Sequence, residues 1–154
     1  GIDPERVVSA GHSMGGGVTV LTAARHPELL GAILISAADM GAVGAVPRAA
    51  LVEMMADNLE SLAGVTPASM ADEVIAGAPR WGFAGAAAGL TRMPILVLSS
   101  DDGLAPASEA LVQRVRGLGN THVTATHMAT DHSWSDKRIA LQAAVINWLV
   151  ARER

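Results

Sequence analysis

The chain has 154 residues and a formal net charge of −4, with 50% of residues hydrophobic and 17% charged. That composition builds a core rather than a disordered chain, and the mild charge without a Lys/Arg cluster argues against nucleic-acid binding. With no cysteine, disulfides, thiol chemistry and Cys-ligated metal sites are excluded, and no apolar run reaches the ~18 residues of a membrane span.

Taken in chain order, Val7 to Ala10 reads as a short buried strand bounded by an Asp3-Pro4 turn and Gly11. A helix is expected after Gly15, with Val18, Leu21, Thr22 and Ala24 on it, stopping before Pro27. Gly31 to Ala37 is a second strand. Residues 39–91 break the rhythm with two helical patterns, Pro47–Leu62 and Pro67–Ala76. This is more chain than a simple crossover needs. It reads either as a cap with Met54, Met55, Met70, Trp81 and Phe83 lining a pocket, or as crossover helices packed on the sheet. Met93 to Leu98 is the clearest strand. Pro106 opens a helix with the stripe Leu111, Val112, Val115, Leu118, and His122 to His127 is a fourth strand. The last helix is expected from Ser135 as N-cap, with the stripe Ile139, Ala143, Ile146, Leu149, Val150. Strand–helix alternation of this kind predicts an α/β fold with a parallel sheet.

Three places along this pattern carry chemistry. Gly11-His12-Ser13-Met14-Gly15 sits between an apolar strand and a helix. A serine at such a turn presents its hydroxyl, and Gly11 and Gly15 are expected to let strand and helix approach. A bare Gly-x-Ser-x-Gly match is weak in a chain with 16 glycines; the strand before and helix after give it weight. The first N–H of the helix, that of Met14, is positioned to stabilise an oxyanion. Asp101 and Asp102 follow the third strand, at the carboxyl edge where open α/β sheets place their sites, and spacing does not separate them. Among five histidines, His132 lies in the loop after the fourth strand and can reach the sheet edge, with His127 as its rival. The His12 side chain is expected to point away from the Ser13 hydroxyl. His127 and His132 lack further ligands for a metal site.

Gly11-His12-Ser13-Met14-Gly15-Gly16 resembles the nucleophile motif of the α/β-hydrolase superfamily. Ile95 to Pro106 is similar to that superfamily's acid-bearing segment, in which the Asp lies four residues before a Pro; this selects Asp102. Asp131-His132-Ser133-Trp134 through Leu141 resembles the histidine loop and last helix of its bacterial members, which selects His132. The resemblance runs over nearly the whole chain but matches only the family's strands five to eight. It implies a partial α/β-hydrolase fold in one domain, residues 1–154, with about four parallel strands flanked by helices and a cap-like insertion at 39–91. The earlier strands, and the loop that supplies a second oxyanion donor, have no counterpart here.

The function implied is a serine hydrolase acting on a carboxylic ester or a peptide or amide. Ser13 is the nucleophile, His132 the base, Asp102 its orienting acid and the Met14 N–H the oxyanion donor. No cofactor and no metal are expected. Acyl transfer with the same triad is the alternative, as is an inactive fragment serving as an interaction module. Loss of one oxyanion donor costs about 3–4 kcal/mol in the transition state, so weak or absent activity is expected of this chain alone. The elbow strand is expected to carry an open edge, along which a second copy or a partner chain would associate. The reading leans to a soluble cytoplasmic protein. The opening residue Gly1 in place of Met leaves room for a missing leader.

Overall fold

A computed structural model describes residue 3, residues 6–59 and residues 62–152. Pro4 of the expected turn and residues 60 and 61 of the expected Pro47–Leu62 helix lie outside the described residues. The elements are β1 (Val8–His12), α1 (Met14–Ala23), β2 (Gly31–Ile35), α2 (Met40–Val43), α3 (Arg48–Ala56), α4 (Pro67–Trp81), α5 (Phe83–Ala86), β3 (Ile95–Ser100), α6 (Ala105–Gly117), β4 (Val123–Met128) and α7 (Arg138–Val150). A short 3-10 turn, Ala87–Leu90, follows α5.

The four strands form one parallel sheet in the order β1-β2-β3-β4. Strand side chains alternate between faces, and both faces of the two central strands are apolar, as buried parallel strands require. Ala32, Leu34, Ile95 and Val97 point to one face and pack with α1, α5 and α6 through Val20, Ala23, Phe83, Leu111, Val112 and Val115. Ile33, Leu96 and Leu98 point to the other and pack under α7 with Trp134 and Trp148. The result is a partial α/β-hydrolase fold. β1 and β4 are the edges of the sheet.

One expected helix stripe, that of α7, is displaced, and α1 packs through small residues. In α1 the buried residues are Gly16, Gly17, Thr19, Val20 and Ala23, and Val18 is exposed. Here glycines, not large side chains, make the contact. A Cβ on Gly16 would lie 2.7 Å from the Ala37 Cβ, and one on Gly17 would lie 2.4 Å from the Ala38 carbonyl oxygen. In α7 the inward face is Leu141, Ala144, Val145, Trp148 and Leu149, while Ile139 is 84% exposed and Ile146 and Val150 also face out. Trp148 sets this rotation: its ring fills the space over Gly31, where a Cβ would come within 2.6 Å of the indole. Ser135 is not the α7 N-cap. Its N–H donates to Asp131 Oδ1 at 2.9 Å, and the helix begins three residues later, after a turn closed by Lys137 N–H to the Trp134 carbonyl.

Within residues 39–91, α3 and α4 bury Leu51, Met55, Ala71 and Val74 against each other, with Met40, Val43, Met70 and Trp81 alongside. Asp39 Oδ1 accepts from the N–H groups of Gly41, Ala42 and Phe83, joining the start of α2 to α5. Helix α4 opens on a Thr66–Ser69 capping box and runs five residues past its expected end, through Pro79. Of the five residues read as pocket lining, Met55 belongs to this small core and Phe83 to the main one, while Met54 faces solvent. Among the described residues no helix is long and apolar enough to cross a membrane.

Candidate active site

Each of the three sequence-selected side chains sits just beyond the carboxyl end of a strand. Ser13 follows β1, Asp102 follows β3 and His132 follows β4, the edge at which open α/β sheets gather their sites.

Ser13 alone joins β1 to α1, at φ 55° and ψ −123°. A non-glycine residue there costs about 1–3 kcal/mol unless its surroundings hold it. Four backbone hydrogen bonds do so. Its N–H donates to the Ile35 carbonyl at 3.0 Å, and its own carbonyl accepts from Gly16, Gly17 and Ala38 at 3.0, 3.2 and 2.9 Å. Its hydroxyl makes no capping bond, although it occupies the N-cap position where serine usually makes one. Met14 begins α1, so its N–H has no partner within the helix. Close approach depends on Gly11, where a Cβ would lie 2.1 Å from the Gly15 carbonyl oxygen. Gly15 itself differs from expectation, since a Cβ there would meet nothing within 4 Å. Its backbone, not its missing side chain, fills the approach.

The Asp102 side chain is 3% exposed and accepts from His132 Nδ1 at 2.8 Å and from the Leu104 N–H at 2.9 Å. Burial alone would push its carboxyl up. The hydrogen bonds from His132, Leu104, Ser36 and Ser100 outweigh burial and hold it at about 2, against 3.8 ordinarily. A carboxyl held below its ordinary value stabilises the fold above that value, and the contribution is lost as pH falls toward 2. Acidification from pH 5 to 2.5 is therefore expected to cost the wild type about 2 kcal/mol more than it costs Asp102→Asn. Urea unfolding at a series of pH values reads this directly, and parallel curves for the two proteins would refute it.

An ionised carboxylate only accepts, so the proton of the His132–Asp102 bond is on Nδ1, and neutral His132 carries its lone pair on Nε2. The Ser13 hydroxyl and the His132 ring make no hydrogen bond with each other, and the pair that is formed is His132 with Asp102. His12 supplies a contact that the sequence does not suggest. Its Nε2 donates to the His132 carbonyl at 2.8 Å, and the two rings lie 4.6 Å apart at 43°. The loop that carries His132 thus rests on the residue before Ser13. Nothing local signals this bond, because its partners are 120 residues apart.

The rival residues form a separate pair. His127 Nε2 bonds Asp101 Oδ1 at 2.9 Å, and its Nδ1 bonds the Ser99 hydroxyl at 3.0 Å. Ser99 and His127 also help line a groove of about 450 Å³ between α6 and β4, which includes none of Ser13, Asp102 or His132. Three buried polar side chains were not anticipated as part of the site. The Ser36 hydroxyl lies 2.8 Å from that of Ser100 and accepts from Trp134 Nε1 at 3.1 Å. Among the described residues no three His, Asp or Glu side chains are grouped to hold a metal ion.

No protein-family profile matches the chain, and no curated protein matches it. Solved structures do. An α/β-hydrolase from Vibrio vulnificus aligns at TM-score 0.61 and 19% identity, over 96% of this chain and 50% of that one. An esterase of Pyrococcus furiosus aligns at 0.67 and 15%, over 95% and 54%. An enol-lactonase from Burkholderia xenovorans aligns at 0.62 and 19%, over 96% and 66%. The chain spans about half to two-thirds of the length of these enzymes and shares their fold.

Proposed function

We propose that the chain carries the catalytic half of a serine hydrolase that cleaves a carboxylic ester or a related acyl bond. The observation that carries this reading is the Asp102–His132 hydrogen bond, which leaves the Nε2 lone pair free at the sheet edge that holds Ser13. A serine hydroxyl is a poor nucleophile until a base takes its proton. In this reading His132 Nε2 takes the Ser13 proton as Oγ attacks the acyl carbonyl. Asp102 holds the ring in the tautomer that can accept and balances the imidazolium that results. The oxyanion develops at the start of α1, where the Met14 N–H and the helix dipole favour negative charge. His132 then returns the proton to the leaving group, and water releases the acyl group by the same steps. The esterase and lactonase among the structural neighbours are in keeping with an ester-type substrate.

A fluorophosphonate probe tests the nucleophile without a substrate. The expected result is one adduct, mapped by peptide mass spectrometry to Ser13. No adduct, or an adduct on another serine, would overturn the reading.

A further inference from the structure

The order of the strands sets a problem of reach. Ser13 follows β1 and His132 follows β4, the two edges of the sheet, and three strand spacings put about 14 Å between such edges. The loop after β4 must therefore cross the carboxyl ends of β3 and β2 to bring its imidazole toward Ser13. Hydrogen bonds fix it along the way. At β3 the Thr130 carbonyl accepts from the Asp101 N–H, and His132 Nδ1 donates to Asp102. Just beyond β2, the Ser36 hydroxyl accepts from Trp134 Nε1. At the end of β1, His12 Nε2 donates to the His132 carbonyl at 2.8 Å.

The tie at β1 differs from the others in both of its ends. It closes on the backbone of His132 itself, and it starts from the residue next to Ser13. His12 pairs with Ile35 in the sheet, and the Ser13 N–H donates to the Ile35 carbonyl, so the donor and the turn share one rigid support. A carbonyl can only accept, so neutral His12 carries its proton on Nε2, the opposite tautomer to His132. The two rings also pack together, with centres 4.6 Å apart.

We infer that His12 is a positioning residue: its Nε2–H anchors the backbone of His132 to the end of β1 and so sets how far the imidazole stands from Ser13. The catalytic consequence rests on the proposed roles of Ser13 and His132, but the anchoring can be measured without them. His12→Phe keeps a ring against His132 and removes the donor. His12→Gln removes the ring and keeps an N–H donor on a side chain of similar reach. His12 is exposed, so neither exchange disturbs the core.

Two measurements are read on the wild type and both variants. The first is amide hydrogen exchange in the His132 loop, where the Trp134 N–H donates to the Asp131 carbonyl and the Lys137 N–H to the Trp134 carbonyl. Protection of these amides is expected to fall about tenfold in His12→Phe and to return in His12→Gln, with β2 and β3 unchanged. The second is the rate of fluorophosphonate labelling at Ser13. It is expected to fall about 10- to 100-fold in His12→Phe and to recover in His12→Gln, since a misplacement of about 1 Å costs a rate on that order. Equal protection in all three proteins, equal labelling rates, or a His12→Gln protein as slow as His12→Phe would overturn the inference. Protection that falls and returns as expected, in a chain whose Ser13 takes no label, would sink the hydrolase reading and leave the anchoring of His132 standing.

Discussion

Replacing Ser13 by alanine is expected to abolish covalent labelling and to lower turnover of a p-nitrophenyl acyl ester by about 10⁴-fold or more relative to wild type. The size of the loss follows from what the hydroxyl does. Without it no acyl-enzyme forms, and only binding and the N–H groups at the start of α1 are left to favour the transition state. His132→Ala is expected to fall to the same level, and the double variant no further. Side chains that act as one unit lose their effect together, not additively. The fold should survive Ser13→Ala, because the four hydrogen bonds that hold the turn are made by backbone groups and its hydroxyl makes no capping bond. Unchanged turnover in Ser13→Ala, or additive losses in the double variant, would remove Ser13 from the chemistry.

The largest expected effect on stability is at Gly11. A methyl group there would stand 2.1 Å from the Gly15 carbonyl oxygen, 2.3 Å from its carbon and 2.7 Å from the Gly16 nitrogen. All three atoms are backbone, in the turn that holds Ser13, so no side chain can swing aside. Gly11→Ala must push α1 away from β1, at a cost of about 3 kcal/mol or more. That is a large share of the 5–15 kcal/mol typical of a folded domain. Gly15→Ala is the contrast. It adds a methyl group to open space in the first turn of a helix, where alanine is favoured over glycine by up to about 1 kcal/mol. Urea unfolding of the two variants should move the midpoint in opposite directions. A Gly11→Ala midpoint at or above that of wild type would show that the turn is not closed as described.

The sheet was legible in the sequence because β2 and β3 are short apolar runs between turn residues, a pattern that parallel strands buried on both faces impose. The edge that carries Ser13, Asp102 and His132 was legible for a related reason, although only the resemblance to the α/β-hydrolases, not the strand pattern, chose Asp102 over Asp101. Each follows a strand, so finding the strands finds the edge where they lie. The face of α7 was not. That helix carries apolar residues around most of its circumference, so periodicity allows several stripes, and the bulk of Trp148 over Gly31 chooses among them. The Gly15 expectation failed because a motif gives residue types but not the direction of a missing Cβ. The polar contacts behind the site were hidden for a further reason. Trp134 and Ser36 are 98 residues apart, as Ser36 and Ser100 are 64 apart. None of them belongs to a local pattern; their juxtaposition exists only once the strands are side by side.

The two faces of the sheet are covered on different schedules. Strands pair in unbroken chain order, and α1, α5 and α6 all settle on one face as the chain proceeds. Among the described residues the other face, with Ile33, Leu96 and Leu98, packs under Trp134 and α7, which come after β4. During synthesis from the ribosome, this apolar face therefore waits for α7. A product that stops short of Arg138 would lack the α7 cover over Ile33, Leu96 and Leu98, and exposed apolar surface of this kind is what chaperones retain and proteases remove. Quality control of this face of the sheet is thereby vested in the thirteen residues of α7.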